Sequence, residues 1–317
     1  MDDPFETRSL TPMLIGKSAA PFDDDNYLYE LKCDGVRCLA YVDPVGGIEL
    51  RNKRNFDVTR KYPELSNIGS QVTDRCILDG EIVVIRNGRT DFEPMQQRAL
   101  MEDALKISLA AAREPVSFVA YDVLWDNGKL LIDLPLLERR AQLRQAVRAD
   151  SGRLAVSRAV EGQGTAFFQL TQTRRLEGVV AKRKDGRYRP GKTSRDWIKI
   201  KNLLDDDYVV CGYIPKEDHL ISIILGQYRD GRLRYKGHVT FGVRGINAQR
   251  LRALPRNPSP TLTVPQSGGN EQAIWLQPVA VCTVQYMEKT TSGALRQPVF
   301  KGFRDDKLPE KCVDNGM

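Results

Sequence analysis

Histidine is almost absent from the 317 residues: only His219 and His238 occur. Two histidines exclude a histidine-built metal cluster and leave little for histidine general-base chemistry, so catalysis, if present, falls to lysine, arginine and carboxylates. The six cysteines (Cys33, Cys38, Cys76, Cys211, Cys282 and Cys312) form no CxxC pair, which argues against a structural zinc and against a disulfide framework. Apolar runs are short. The longest, Ile82 to Ile85 and Leu220 to Leu225, fall far below the ~20 residues of a membrane span, so neither a transmembrane helix nor a membrane partner is expected. The acidic opening Met1-Asp2-Asp3-Pro4-Phe5-Glu6 lacks the basic-then-apolar order of a signal peptide. A reducing cytoplasm is the expected setting, beside the nucleoid in a bacterium.

What is present is ordinary globular material. With 41% hydrophobic and 28% charged residues and no low-complexity tract, the chain has the composition of a folded protein long enough for two cores. Its formal charge is +7, unevenly spread. Residues 1–50 hold four basic and ten acidic side chains; residues 151–200 hold twelve basic and four acidic ones. Such asymmetry points to a polyanionic partner, nucleic acid first, although charge alone favours the plainer reading of a solvated basic face.

Residues 26–31 and 36–42 read as β-branched and aromatic strands joined, hairpin-like, by the turn Lys32-Cys33-Asp34-Gly35. Further strands are expected at 47–51, 76–86, 116–124, 153–158, 178–183 and 195–201. Helical periodicity spans Glu93 to Arg113, with Met95, Ala99, Leu105, Leu109 and Ala112 near one face, and Leu136 to Ala149, with Leu137, Ala141, Leu143 and Val147. Mixed elements without strict βαβ alternation predict an α+β domain of antiparallel sheets with flanking helices over residues 1–202. Asp205-Asp206-Asp207 then marks a short acidic break, and strands at 207–214, 220–228, 231–241 and 274–288 with a helix near 247–254 predict a small OB-fold β-barrel over residues 203–317.

The turn reads KxDGxR, from Lys32 to Arg37, a short pattern that an exposed loop can match by chance. Its company is more specific. Downstream, in order, stand Leu78-Asp79-Gly80-Glu81, Phe118-Val119-Ala120-Tyr121-Asp122, Glu177 to Lys182 (EGVVAK) and Trp197 to Lys201 (WIKIK), followed by Arg296-Gln297-Pro298 and Arg304-Asp305-Asp306-Lys307. This series, over about residues 27–307, resembles the six motifs of the covalent nucleotidyltransferase superfamily, and most closely the ATP-dependent DNA ligases. The tail RxPxFxxxRxDK, with Asp57-Val58-Thr59 and Tyr62-Pro63-Glu64-Leu65, is similar to the two-domain bacterial and archaeal type, including the ligase module of bacterial end-joining proteins.

The lysines and carboxylates suit that chemistry on their own terms. A lysine amine attacks phosphorus only when deprotonated, which neighbouring cations or desolvation favour. Lys32 is therefore read as the nucleophile, and Lys199 and Lys201, two apart on one strand, share a face from which to supply positive field and hold the α-phosphate. Carboxylates suit Mg²⁺ or Mn²⁺. The resemblance implies the rest: Glu30 recognises adenine, Tyr121 stacks on it, Arg37 binds ribose or phosphate, Glu81 contacts ribose and metal, Glu177 binds metal, and Asp34 lies beside the 3′-hydroxyl in the last step. Arg296, Arg304, Asp306 and Lys307 match the mobile motif that orients pyrophosphate, on a second domain that closes over ATP and then reopens to grip DNA. One position departs from the pattern. An expected arginine falls on Lys53, which cannot give the same bidentate phosphate contact, and Arg54 or Arg51 is expected to replace it. The expected activity is sealing of nicked duplex DNA by a monomer, with end-joining proteins as possible partners. A GTP-dependent capping enzyme, an RNA ligase and a non-catalytic nucleic-acid-binding OB protein are the alternatives. Arg183, Lys184, Arg187, Arg189, Lys192 and Arg195 are a candidate phosphate track, on a loop that Gly186 and Gly191 suggest is flexible.

Overall fold

The computed structural model describes residues 3–148, 152–266, 268–290 and 293–314. The chain divides into two compact units, Met1–Asn202 and Leu203–Met317. In the first unit the order is α1 (Pro4–Thr7), β1 (Leu14–Ser18), β2 (Tyr27–Leu31), β3 (Val36–Asp43), β4 (Gly47–Asn52), β5 (Cys76–Arg86), β6 (Arg89–Asp91), α2 (Phe92–Leu100) and α3 (Ala104–Arg113). It continues with β7 (Ser117–Asp126), β8 (Lys129–Leu130), α4 (Leu136–Ala146), β9 (Leu154–Val156), β10 (Ala159–Glu161), α5 (Gly164–Thr173), β11 (Gly178–Arg183) and β12 (Thr193–Lys201).

Two sheets result. One runs β1-β12-β11-β2-β10 and is antiparallel except for β1 beside β12; the other runs β4-β3-β5-β7-β8, with β6 on β5 and β9 parallel to β7. The β3 sequence shows why the second sheet sits in the middle. Its alternate residues face opposite ways: Leu39 and Tyr41 pack with Phe5, Met13, Val180 and Trp197 against the first sheet, whereas Cys38, Ala40 and Val42 pack with Leu65, Met95 and Leu143 on the other side. Both faces of β3 are dry, so its apolar run is unbroken.

Three expectations change here. Strands β2 and β3 are not a hairpin, because they belong to different sheets, and the Lys32-Cys33-Asp34-Gly35 loop carries the chain from one to the other. The long helix breaks in two: Met101 is extended (ψ 135°) and Asp103 caps a new helix by accepting from the Lys106 N–H at 2.8 Å. That break resets the phase, so Ile107 is buried while Leu105 and Leu109 are exposed. In α4 the buried stripe is Leu136, Arg139, Arg140, Leu143 and Ala146, one step round from the expected face, and Leu137 is exposed. Ala149, the expected end of that helix, lies outside the described residues.

The second unit comprises β13 (Leu204–Pro215), β14 (Ile221–Arg229), β15 (Arg232–Val239), α6 (Gly245–Ala253), β16 (Ile274–Trp275), β17 (Val281–Tyr286) and β18 (Val299–Arg304). Its sheet runs β15-β14-β13-β17-β18, antiparallel throughout, with β16 on β13. Phe241, just past β15, pairs with Val299 of β18 and brings the two edges of the sheet together. This is an OB-type barrel around Tyr208, Ile223, Leu225, Val284 and Phe300. The expected strand 274–288 is interrupted around Pro278, which has no N–H for a ladder, and none of the expected strands covers β18. Asp205 to Asp207 are not a break but ladder residues of β13, facing Gln285, Val284 and Thr283 of β17. Among the described residues no helix is long and apolar enough to cross a membrane.

Candidate active site

The crossover loop is held by close backbone contacts that only glycine permits. A Cβ on Gly35 would stand 2.1 Å from the Ile82 carbonyl oxygen, and one on Gly178, at φ +138°, 2.1 Å from that of Ile200. Between these two glycines the Lys32 N–H donates to the Gly178 carbonyl at 3.0 Å. The nucleophile candidate is thus pinned where β2 ends beside β11. Its Nζ meets Glu177 Oε1 at 2.8 Å, and Lys201 Nζ reaches the same oxygen at 3.9 Å.

Register explains the rest of the cluster. Glu30, Val180 and Lys199 lie in one row across β2, β11 and β12, and Lys182 and Trp197 in the next row on the same face. That face forms one wall of a cavity of about 220 Å³ whose lining includes Glu30, Lys32, Arg37, Glu81, Tyr121, Lys182 and Trp197. Lys199 and Lys201 share the wall without lining the cavity itself. Tyr121 stands edge-on to Trp197, ring centroids 5.9 Å apart, and the Lys182 ammonium lies over both rings at 4.3 and 4.2 Å. Burial lowers the pKa of that ammonium, while Glu30 and Asp122 oppose the shift.

Several expected residues have company that the sequence did not disclose. Glu30 is buried, and its carboxylate accepts from Arg140 Nη1 at 2.5 Å, Ser157 Oγ at 2.8 Å and Lys182 Nζ at 3.0 Å. The fork of Arg37, expected to grip ribose or phosphate, is already filled: Nε and Nη2 donate to the two oxygens of fully buried Asp79 at 3.0 and 2.6 Å, and Tyr188 donates to Asp79 at 2.7 Å. Only the Nη1 edge remains for a ligand. The Asp34 N–H faces Thr90 Oγ1 at 3.3 Å. Arg54 is exposed beyond β4 and does not line the cavity, while Arg51 is tied to Glu49 and to the Asn55 carbonyl. Neither is brought to this cavity, because the turn at 52–55 lies on the surface. The loop of basic residues is less free than its glycines suggest: Tyr188 is buried in it, and Arg139 holds the Gly186 carbonyl at 3.0 Å. Arg183, Arg187, Arg189, Lys192 and Arg195 stay exposed.

In the second unit Asp207 gathers the tail motif. It accepts from Lys307 at 2.8 Å, Arg304 at 3.2 Å and Thr283 at 2.6 Å, while Arg304 forms a two-pronged pair with Asp306 at 2.7 Å. Arg296 pairs with Glu288 at 2.8 Å.

Electrostatics separate the two metal candidates. Burial raises the pKa of Glu177, Lys32 opposes the rise, and Glu177 Oε2 is buried with no hydrogen-bond partner. An acceptor left bare beside the Lys32 amine, at the edge of this cavity, fits a divalent cation. No three His, Cys, Asp or Glu side chains among the described residues are grouped to hold one, so water and phosphate oxygens would complete its shell. Glu81 is pushed up to about 8 by burial, against the pull of Lys32 and Arg37, so at neutral pH it is mostly the neutral acid, a weak metal ligand but a donor as well as an acceptor. The folded protein therefore holds a proton there that the unfolded chain releases near its ordinary pKa of 4.5. Stability should fall by up to about 1.4 kcal/mol per pH unit as pH rises between these two values. Glu81→Gln is expected to flatten that limb in thermal melts at pH 5, 6.5 and 8; an unchanged slope would mean that Glu81 is ionised throughout.

Comparison with known proteins agrees with the motifs. The ATP dependent DNA ligase domain matches residues 12–201, and the ATP dependent DNA ligase C terminal region matches residues 216–307. The multifunctional non-homologous end joining DNA repair protein LigD of Mycobacterium tuberculosis is 30% identical over 98% of this chain, which spans only 40% of that protein. DNA ligase C1 of Mycolicibacterium smegmatis is 31% identical over 96% of this chain and 92% of its own length. A solved structure of mycobacterial DNA ligase D complexed with ATP and MES is 29% identical and superposes with a TM-score of 0.56, covering 96% of this chain and 98% of that one. With both halves matched in order and the lysine, carboxylate and aromatic motifs converging on one cavity, the chain belongs to the ATP-dependent DNA ligase family.

Proposed function

We propose that this chain seals 5′-phosphate/3′-hydroxyl nicks in duplex DNA, using ATP and passing through a lysyl-AMP on Lys32. The observation that carries the reading is the Lys32–Glu177 pair at the rim of a cavity walled by the Tyr121 ring and the Glu30 carboxylate. One pocket thus combines a nucleophile, a flat apolar contact for a base and a hydrogen-bond acceptor.

In the first step the Lys32 amine, having given up a proton, forms an N–P bond to the α-phosphorus as the bond to the pyrophosphate oxygen breaks. Lys199 and Lys201 add positive field on that wall, where negative charge develops. Tyr121 stacks on adenine, Glu30 accepts from it, and the free edge of Arg37 and neutral Glu81 hold the ribose. A bound Mg²⁺ or Mn²⁺ supplies neutralisation of the phosphate charge, and Glu177 Oε2 would hold it. In the second step a DNA 5′-phosphate oxygen takes the AMP, returning the amine. In the third the 3′-hydroxyl, beside Asp34, displaces AMP to close the strand. The exposed arginines and lysines between Arg183 and Arg195 serve as a salt-sensitive backbone track. The names of the relatives suggest end joining as the setting, with end-joining proteins as partners of a monomeric ligase.

Incubation with ATP labelled at the α-phosphate, then a denaturing gel and a chase with nicked DNA, tests this. Label on the protein that moves to DNA, followed by a sealed strand, is the expected result. No label overturns the reading; labelling by GTP instead indicates a capping-type enzyme, and sealing of RNA nicks alone indicates an RNA ligase.

A further inference from the structure

The three donors on Glu30 come from three separate elements: Arg140 from α4, Ser157 from just beyond β9 and Lys182 from β11. All four side chains are buried. Three donors from separate elements hold the carboxylate in one orientation. Ser157 and Lys182 occupy Oε2, whereas Oε1 carries only Arg140, which leaves Oε1 a lone pair for the cavity that Glu30 lines. Arg140 is itself fixed from behind, since its Nη2 donates to the Ser157 carbonyl at 2.7 Å and the Ser157 N–H donates to the Ala120 carbonyl at 2.7 Å, one residue before Tyr121. The acceptor and the ring therefore share one brace.

We propose that Arg140 is a specificity-determining residue of the nucleotide cavity: by clamping Glu30 as a fixed, acceptor-only group, it selects a purine that presents a hydrogen-bond donor at position 6 and rejects one that presents a carbonyl. This rests on the proposed function in taking the ligand to be a nucleoside triphosphate. A 6-amino purine donates to Oε1, whereas a 6-oxo purine sets one acceptor against another, a mismatch that buried polar sites penalise heavily. Arg140 touches no ligand; it acts through Glu30.

The test measures equilibrium binding of α,β-methylene-ATP and α,β-methylene-GTP, neither of which can release pyrophosphate, to the wild-type chain and to Arg140→Met, Arg140→Lys and Ser157→Ala. Arg140→Met should cut the adenine-to-guanine affinity ratio by at least about tenfold, by weakening the ATP analogue and leaving the GTP analogue equal or tighter. Arg140→Lys should restore part of the ratio, and Ser157→Ala should lower it in the same direction by a smaller factor. A merely structural role weakens both analogues alike, and that outcome overturns the proposal. Should Arg140→Met fail to fold, an unchanged ratio in Ser157→Ala and Arg140→Lys does the same. Because the readout needs no covalent step, a wild-type chain that prefers the ATP analogue yet takes up no label would sink the ligase reading alone.

Discussion

Lys32→Ala should lower self-labelling by ATP by at least about 10⁴-fold, to the background of the assay, and sealing with it, because the amine that accepts the AMP is gone. The fold should survive. Lys32 is partly exposed, with 21% of its side chain accessible, and the contact that fixes the loop is its backbone N–H to Gly178, which alanine keeps. Lys32→Arg sharpens the result: it can still pair with Glu177, but a guanidinium does not lose its proton in the working range, so it too should be inert in labelling. A variant that binds the nucleotide yet takes up no AMP identifies Lys32 as the acceptor. Residual labelling of Lys32→Ala above a few per cent would assign the covalent step elsewhere.

The largest stability loss is expected from a pair that takes no direct part in the chemistry. Asp122 and Arg139 are both fully buried and joined through two bonds of 2.8 Å, and Arg139 also holds the carbonyls of Leu134 and Gly186. Removing one member of such a pair strands the other in a dry site, at a cost of about 3–5 kcal/mol. Asp122→Ala should therefore lower the melting temperature of the first unit by roughly 6–20 °C. The double replacement Asp122→Leu with Arg139→Met should recover much of that loss, since the penalty is the unpaired charge. A melting temperature within about 2 °C of wild type for the single variant would mean that water reaches Arg139.

The candidate site was more legible than its supports. Lys32, Glu81, Tyr121, Glu177 and Lys201 could be picked out because their motifs stand in a fixed order, and ten of the strands were placed to within a residue or two. The groups that aim them were not legible. Arg139 and Arg140 sit at the positions of α4 that continue the stripe of Leu136 and Leu143, where an arginine looks like a solvated charge until the carboxylates opposite are known. Asp79 and Asp122 carried the only local signal, being charged residues inside the apolar runs of β5 and β7. The hairpin reading of residues 26–42 failed for a related reason. Local sequence specifies that a turn follows Leu31, whereas the partner of each strand is decided by residues far along the chain, Val180 for Glu30 and Gly80 for Cys38. The split at Met101 was hidden likewise, since Leu105 and Leu109 keep helical spacing whether or not the preceding turn is broken.

The pairing of β1 with β12 places a constraint on the order of assembly. Leu14 lies beside Thr193 and Ser18 beside Lys199, so the first strand of this unit has no β12 to pair with until nearly the whole unit has been made. At typical translation rates it waits roughly ten to forty seconds. During that interval its later neighbour does not exist, and afterwards β12 offers an open edge until the two meet. The strand that carries Lys199 and Lys201 is therefore flanked by the first strand of its own unit, which is made well before it, and this wall is complete only when the two have met.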